Sequence, residues 1–221
     1  MSERMCITFI DVTGPEPVTS PVLYTQWFGW PSSICSAIVL LEKLNKLSTP
    51  AIALEAMAQL INSRSNNCEH AIPNEVCYEA KPFRGRSDGT KLSGTRVWPC
   101  RSVDKAVRLT DQTDTNYGLY VVAMGDLTSS NGTREFVMGR YNGDRWLTPE
   151  EVSSEYQDAL STPCFLYDLQ WYLKTAHTLG WLIEYDLTGY NLTDYELIGY
   201  ECRVFVNSDT KPDIFTVNIT S

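Results

Sequence analysis

The hydrophobic pattern changes period several times along the chain, and each change predicts an element. Arg4 to Ile10 is an apolar run rich in β-branched residues and reads as a strand. Asp11 to Ser20, with Gly14, Pro15 and Pro17, reads as a loop, and Pro21 to Gln26 as a second strand that completes an opening hairpin. Behind a Pro31-Ser32-Ser33 start, Ile34, Ala37, Ile38, Leu41 and Leu44 recur every three or four residues, which predicts a helix to about Leu47. Thr49 and Pro50 open a second helix carrying Ile52, Ala53, Ala56, Met57 and Leu60. The short break between the two predicts an αα-hairpin.

From Asn66 to Gly94 the periodicity vanishes and proline, glycine, serine and charge take over, which predicts a long surface excursion. Tyr117 to Met124 and Arg134 to Tyr141 carry strand patterns and flank a turn region with an Asn131-Gly132 pair, the mark of an antiparallel hairpin. Thr148-Pro149-Glu150-Glu151 fits a capping box, in which the threonine accepts from the third helical amide while Glu151 reaches back, so a helix should follow to Leu160. Thr162-Pro163 restarts a helix with Phe165, Leu169, Tyr172, Leu173 and Ala176 on one face and Gly180 as its stop. Cys202 to Val206 and Ile214 to Val217 read as two closing strands with their turn at 209–212. The fold class expected is α+β: an antiparallel sheet with helices packed on one side, in a single domain spanning 1–221.

Composition changes this picture little. With 43% apolar residues the chain can bury a real core. Its most apolar stretch, Ile34 to Leu41, is far shorter than the ~20 residues a membrane helix needs. The first residues carry no secretory pattern, and the seven cysteines form no C-x-x-C pair, so reduced thiols in a host cytoplasm are expected, with no membrane partner.

Charge changes it more. The net charge of -9 is uneven: Met1 to Thr148 holds 15 acidic and 15 basic side chains, whereas Pro149 to Ser221 holds 12 acidic against 3 basic, Lys174, Arg203 and Lys211. Within the first part, segment 81–108 sets Lys81, Arg84, Arg86, Lys91, Arg96, Arg101, Lys105 and Arg108 against Asp88 and Asp104 alone. The two charged regions can compensate internally, pair between subunits, or face different partners. The acidic, tyrosine-rich segment 149–221 suits docking on a basic protein surface, with Glu150, Glu151, Asp186, Asp194, Glu196, Tyr190 and Tyr195 as the interaction residues. The basic segment, with Phe83 and Trp98, suits single-stranded nucleic acid, but the acidic whole repels it, so nucleic acid is the disfavoured partner.

Candidate catalytic chemistry is sparse. Cys68, His70, Cys77 and Cys100 are soft ligands whose spacing matches no common zinc module, so neither a metal nor another cofactor is expected. Gly85 to Lys91 lacks the spacing, the final glycine and the hydroxyl of a phosphate loop. Cys35 lies early in a predicted helix, where the dipole can activate a thiol, but a base would have to come from His70 or His177, both remote in sequence. Packing with Ile34 and Ile38 is the competing account of Cys35.

Two resemblances remain. Tyr185, Tyr190, Tyr195 and Tyr200, with Leu187, Leu192 and Leu197, have a five-residue rhythm that resembles the pentapeptide-repeat family. Only three units are present and bulky tyrosine replaces the small inward residue, so a run of strand and turn residues is the preferred reading. Tyr24-Thr25-Gln26-Trp27-Phe28-Gly29-Trp30-Pro31 resembles a segment in a group of uncharacterised phage, prophage and archaeal-virus proteins, where histidine and aspartate occupy the positions of Gln26 and Phe28. The matching Tyr24, Gly29 and Pro31 have structural roles, Gly29 in a tight turn and Pro31 at a helix start. The resemblance implies a viral or mobile-element origin. The function expected is therefore a non-catalytic viral or prophage interaction protein, an acidic inhibitor occupying a basic, nucleic-acid-facing surface of a host protein. The alternatives are a cysteine-dependent enzyme using Cys35 and a nucleic-acid-binding protein using segment 81–108. Oligomeric state is not legible in the sequence.

Overall fold

A computed structural model describes residues 3–25, 29–66, 77–78, 95–100, 102–113, 115–128, 134–188, 200–206 and 213–217. The elements run β1 (Met5–Asp11), β2 (Val18–Thr19), β3 (Val22–Thr25), α1 (Pro31–Lys43), α2 (Pro50–Asn66), β4 (Cys77–Tyr78), β5 (Thr95–Trp98), α3 (Val103–Asp111), β6 (Leu119–Thr128), β7 (Arg134–Tyr141), α4 (Pro149–Leu160), α5 (Pro163–Thr178), β8 (Leu182–Thr188), β9 (Tyr200–Val206) and β10 (Asp213–Val217). The class is α+β and most strand pairs are antiparallel, as the sequence pattern predicts. Two compact units emerge, Met1–Trp30 with Lys46–Ser153, and Pro31–Asn45 with Ser154–Ser221.

The first unit is built on a sheet of order β4-β5-β3-β1-β6-β7, with β2 paired to the end of β1. The predicted opening hairpin is present as the antiparallel β1–β3 pair, with Cys6 opposite Tyr24. The predicted second hairpin is β6–β7, with Leu119 opposite Tyr141. Between the hairpins, β1 and β6 run parallel, Cys6 beside Leu119. On the face bearing Cys6, Val22, Tyr24, Trp98, Leu119 and Val121, helix α3 inserts Ala106 and Leu109. The alternate residues Met5, Ile7 and Phe9 are buried as well, and α2 runs along β1, β3 and β5. Burial of both rows explains why β1 is apolar throughout instead of alternating. Where the chain returns to β3, buried Thr8 and Ser20 satisfy each other: the Thr8 hydroxyl donates to the Ser20 carbonyl at 3.1 Å and the Phe9 amide donates to Ser20 Oγ at 3.0 Å.

The second unit packs α1 on α5 and α5 on β8, which starts the antiparallel sheet β8-β9-β10. Nearly every residue of α1 from Ser32 to Leu41 is buried, so its apolar stretch is that of a helix covered all round. The stop predicted at Gly180 is a Schellman turn: the Gly180 amide donates to the His177 carbonyl at 3.0 Å and the Trp181 amide to Ala176 at 2.9 Å, with Gly180 at φ 72°. The turn delivers the chain directly into β8.

Two expectations need revision, and the strand reading of the five-residue rhythm holds for its first part. The two helices of the expected αα-hairpin are divided between the units, α1 with α5 and α2 with the sheet of the first; Asn45, at φ 51°, ends α1 in a left-handed residue five positions before Pro50. Helix α3 and strand β5 arise in a stretch with no predicted element. Ser102 caps α3, accepting from the Lys105 amide at 3.3 Å, and Val103, Ala106, Val107 and Thr110 give it a helical period. The first part of the five-residue rhythm is plain strand: Leu182–Thr188 is β8, paired antiparallel with β9. The excursion at 66–94, apart from β4, and the turn at 209–212 lie outside the described residues.

Candidate interaction surface

The capping box forms as expected and includes one of the predicted interaction residues, Glu151. The Thr148 amide donates to Glu151 Oε2 at 2.8 Å and the Glu151 amide donates to Thr148 Oγ1 at 3.3 Å. Arg145 adds a fork, with Nη1 and Nη2 donating to the two oxygens of the same carboxylate at 2.8 and 2.6 Å. The fork is aimed by a turn in which Asn142 Oδ1 accepts from the Asp144 and Arg145 amides at 3.0 and 2.9 Å. The Arg145 hydrogen bonds, followed by the Thr148 amide, lower the Glu151 carboxyl to about 2. Glu151 thus has a structural role in the box and the fork, while its side chain remains 42% exposed.

The other predicted residues separate into three groups. Glu150 is exposed in the first turn of α4, and Asp186 is exposed on β8 directly across from Arg203 of β9. Asp194, Glu196, Tyr190 and Tyr195 lie outside the described residues. Tyr24 stacks on Trp98 with ring centroids 5.1 Å apart, and Pro31 is the first residue of α1. Gly29 is needed for close approach: a Cβ there would lie 2.9 Å from the Glu3 carbonyl oxygen and 2.9 Å from Met5 Cγ. Gln26 and Phe28 lie outside the described residues.

Cys35 is 1% exposed on α1, the helix that meets α5 through a polar seam. There Ser32 Oγ donates to Asp168 Oδ2 at 3.3 Å, and Ser33 Oγ and the Tyr172 hydroxyl share a hydrogen bond of 2.6 Å. Asp168 itself is 1% exposed. The seam orients the two helices, and Cys35 is buried on the same helix α1. Cys6 is equally enclosed: burial pushes its thiol up to about 12 against the opposing hydrogen bonds of Thr110 and Thr113. Of the soft-ligand set, Cys68 and His70 lie outside the described residues, and Cys100 is buried with its thiol donating to the Ser102 carbonyl at 2.8 Å. Among the described residues no group of three or more histidines, cysteines or carboxylates is arranged to hold a metal. Of the basic segment, Lys105 and Arg108 are exposed on α3, and Arg96 has its backbone in β5.

What sequence reading missed is the outer side of α5. Opposite its buried Phe165, Leu169, Tyr172 and Ala176, the helix presents Tyr167, 47% exposed, then half-buried Trp171 and exposed Lys174, whose Nζ sits 5.6 Å from the Trp171 ring centroid. His177 continues the row and meets the Tyr185 ring edge-on at 6.0 Å. The signal was present as a second helical period, 167, 171 and 174, interleaved with the core one. Exposed acids Asp158 on α4 and Glu184 and Asp186 on β8 belong to the same unit.

Charge follows the units. The second unit holds 11 acidic and 4 basic residues, a net of -7, which leaves -2 for the first. No helix among the described residues is long and apolar enough to cross a membrane. No protein family matches the chain, and neither curated proteins nor solved structures yield a match.

Proposed function

We propose that the chain is a non-catalytic interaction protein of viral or prophage origin whose acidic second unit occupies a basic, nucleic-acid-facing surface of a host protein in the cytoplasm. One observation carries the reading: a single compact unit holds -7 of the net charge of -9, with Asp158, Glu184 and Asp186 exposed on it. A field of that kind raises the rate of encounter with a basic surface and repels nucleic acid competing for it. The burial of Cys35 favours this reading over a cysteine-dependent enzyme, and the viral origin rests on the segment Tyr24 to Pro31.

The test is paired affinity capture of host proteins on the immobilised chain and on a variant with Asp158→Lys, Glu184→Lys and Asp186→Lys, all exposed acids of the second unit, with mass-spectrometric identification. The expected result is a basic nucleic-acid-binding protein held by the native chain, released by added DNA and lost from the variant. Surface reversals of this type alter stability by only about 0.5 kcal/mol, so the variant should remain folded. Equal capture by both chains, or a captured protein indifferent to DNA, rejects the proposal.

A further inference from the structure

We infer that the outer stripe of α5, formed by Tyr167, Trp171 and Lys174, is the centre of the contact surface, and that its occupant is an arginine- or lysine-bearing protein segment. The inference rests on the functional reading above and deepens it. At 100° per residue, positions 167, 171 and 174 fall within one narrow sector of the helix, opposite the sector that buries Phe165, Leu169, Tyr172, Leu173 and Ala176. The second unit therefore displays two aromatic rings on a rigid 16-residue helix. Exposed tyrosine and tryptophan are the side chains that most often anchor protein contacts, since they bring large areas with few rotatable bonds.

The chemistry of the occupant follows from charge. The exposed side of α5 carries no carboxylate, its one acid, Asp168, being buried in the seam with α1. The exposed acids Asp158, Glu184 and Asp186 stand on the neighbouring elements in sequence. An apolar, aromatic centre in a unit of net charge -7 complements a segment that places cations on or around apolar groups. The Trp171 ring already collects a cation from its own chain, with Lys174 Nζ 5.6 Å from its centroid. Lys174 thus occupies the position that an incoming arginine would take, and it should act as an internal competitor.

The experiment titrates the full, isotope-labelled chain with a synthetic peptide alternating arginine and leucine, with its glutamate-for-arginine counterpart, and with single-stranded oligothymidylate, at about 0.05 M and about 0.3 M salt. The expected result is saturable chemical-shift change centred on α5, including the Trp171 indole, for the arginine peptide alone. Tyr167→Ala and Trp171→Ala should each weaken that binding about tenfold with the remaining spectrum unchanged. Lys174→Gln should strengthen it about two- to fivefold, more than Lys43→Gln in the same unit, and the difference should survive the higher salt. Tyr167 is exposed, so its variant folds even if the Trp171 variant does not. Shifts spread over the acids without saturation, tighter binding of the oligonucleotide on α5, or concentration-dependent shifts there without peptide would each overturn the inference. If Asp158→Lys, Glu184→Lys and Asp186→Lys weaken peptide binding while Tyr167→Ala does not, the stripe is wrong and the charge-based function stands. If the arginine and glutamate peptides bind alike, both fail.

Discussion

The two units keep their helices in place by different means. In the first, the sheet buries Met5, Ile7, Phe9, Leu23 and Val122, with buried Arg140 over the Tyr120 ring towards the β7 edge, and Thr8 and Ser20 are its local polar repair where the chain turns back. In the second, α1 meets α5 across serines, a carboxylate and a tyrosine hydroxyl. Apolar packing is tolerant of small displacements, whereas a hydrogen-bonded seam has one register in which its groups are satisfied. The difference teaches that stability in the first unit is a matter of area, and in the second of geometry. The same division holds outside, where the second unit carries most of the charge.

The largest expected effect breaks the first unit. Phe9 is fully buried on the central strand, and Phe9→Ala should cost about 3 to 5 kcal/mol through lost burial and the cavity left behind. Urea unfolding measures it. A loss below about 1 kcal/mol would mean that β1 is not the centre of the apolar core.

The seam answers to a different substitution. Asp168→Ala leaves the buried Ser32 hydroxyl without its carboxylate and should cost about 2 to 3 kcal/mol, whereas Asp168→Asn keeps an acceptor oxygen and should cost about 1 kcal/mol. Equal losses would show that volume, not hydrogen bonding, matters at this position. Thr175, one helical turn past Tyr172, sharpens the point with the opposite sign. Its Oγ1 is buried and has no hydrogen-bond partner, so Thr175→Val should stabilise the chain by up to about 1 kcal/mol. A loss in the same unfolding measurement would mean that the hydroxyl is satisfied in solution.

How much of this was legible in the sequence follows from the same contrast. The strands of the two hairpins, the capping box and the Gly180 stop are local signals, written in adjacent residues, and all are present in the structure. Helix α3 was hidden because its exposed Asp104, Lys105 and Arg108 read as part of a charged tract, although Val103, Ala106, Val107 and Thr110 keep the period. The pairing of α1 with α5 could not be read at all: Ser32 and Asp168 are 136 residues apart, and no local rule relates them. For the same reason the sequence shows that Glu151 reaches back in the box but not that Arg145 turns onto the same carboxylate. The tyrosine and tryptophan of α5 were missed because the stronger core period on that helix concealed the weaker one opposite.

The smallest effect concerns the junction itself, for Glu151 lies two residues before the chain passes, within α4, from the first unit to the second. Its carboxyl is lowered from an ordinary 4.5 to about 2, chiefly by the hydrogen bonds from Arg145. The unfolded chain therefore binds the proton more tightly than the folded one, so the carboxylate's contribution is fully present above about 4.5 and is lost as the pH falls towards 2. Both partners are well exposed, which keeps the contribution small and makes it sensitive to salt. In Glu151→Gln the side-chain oxygen can still accept from the Thr148 amide, as a capping box allows, but the charge facing Arg145 is gone. Native chain and variant should then differ in urea midpoint at neutral pH and low salt, and converge as the pH drops through the window from 4.5 to 2. The expected difference also shrinks when salt is raised at neutral pH. A gap that stays constant across that window would show that Glu151 acts through its shape alone, and that the fork from Arg145 does not tie the end of the first unit to the start of α4.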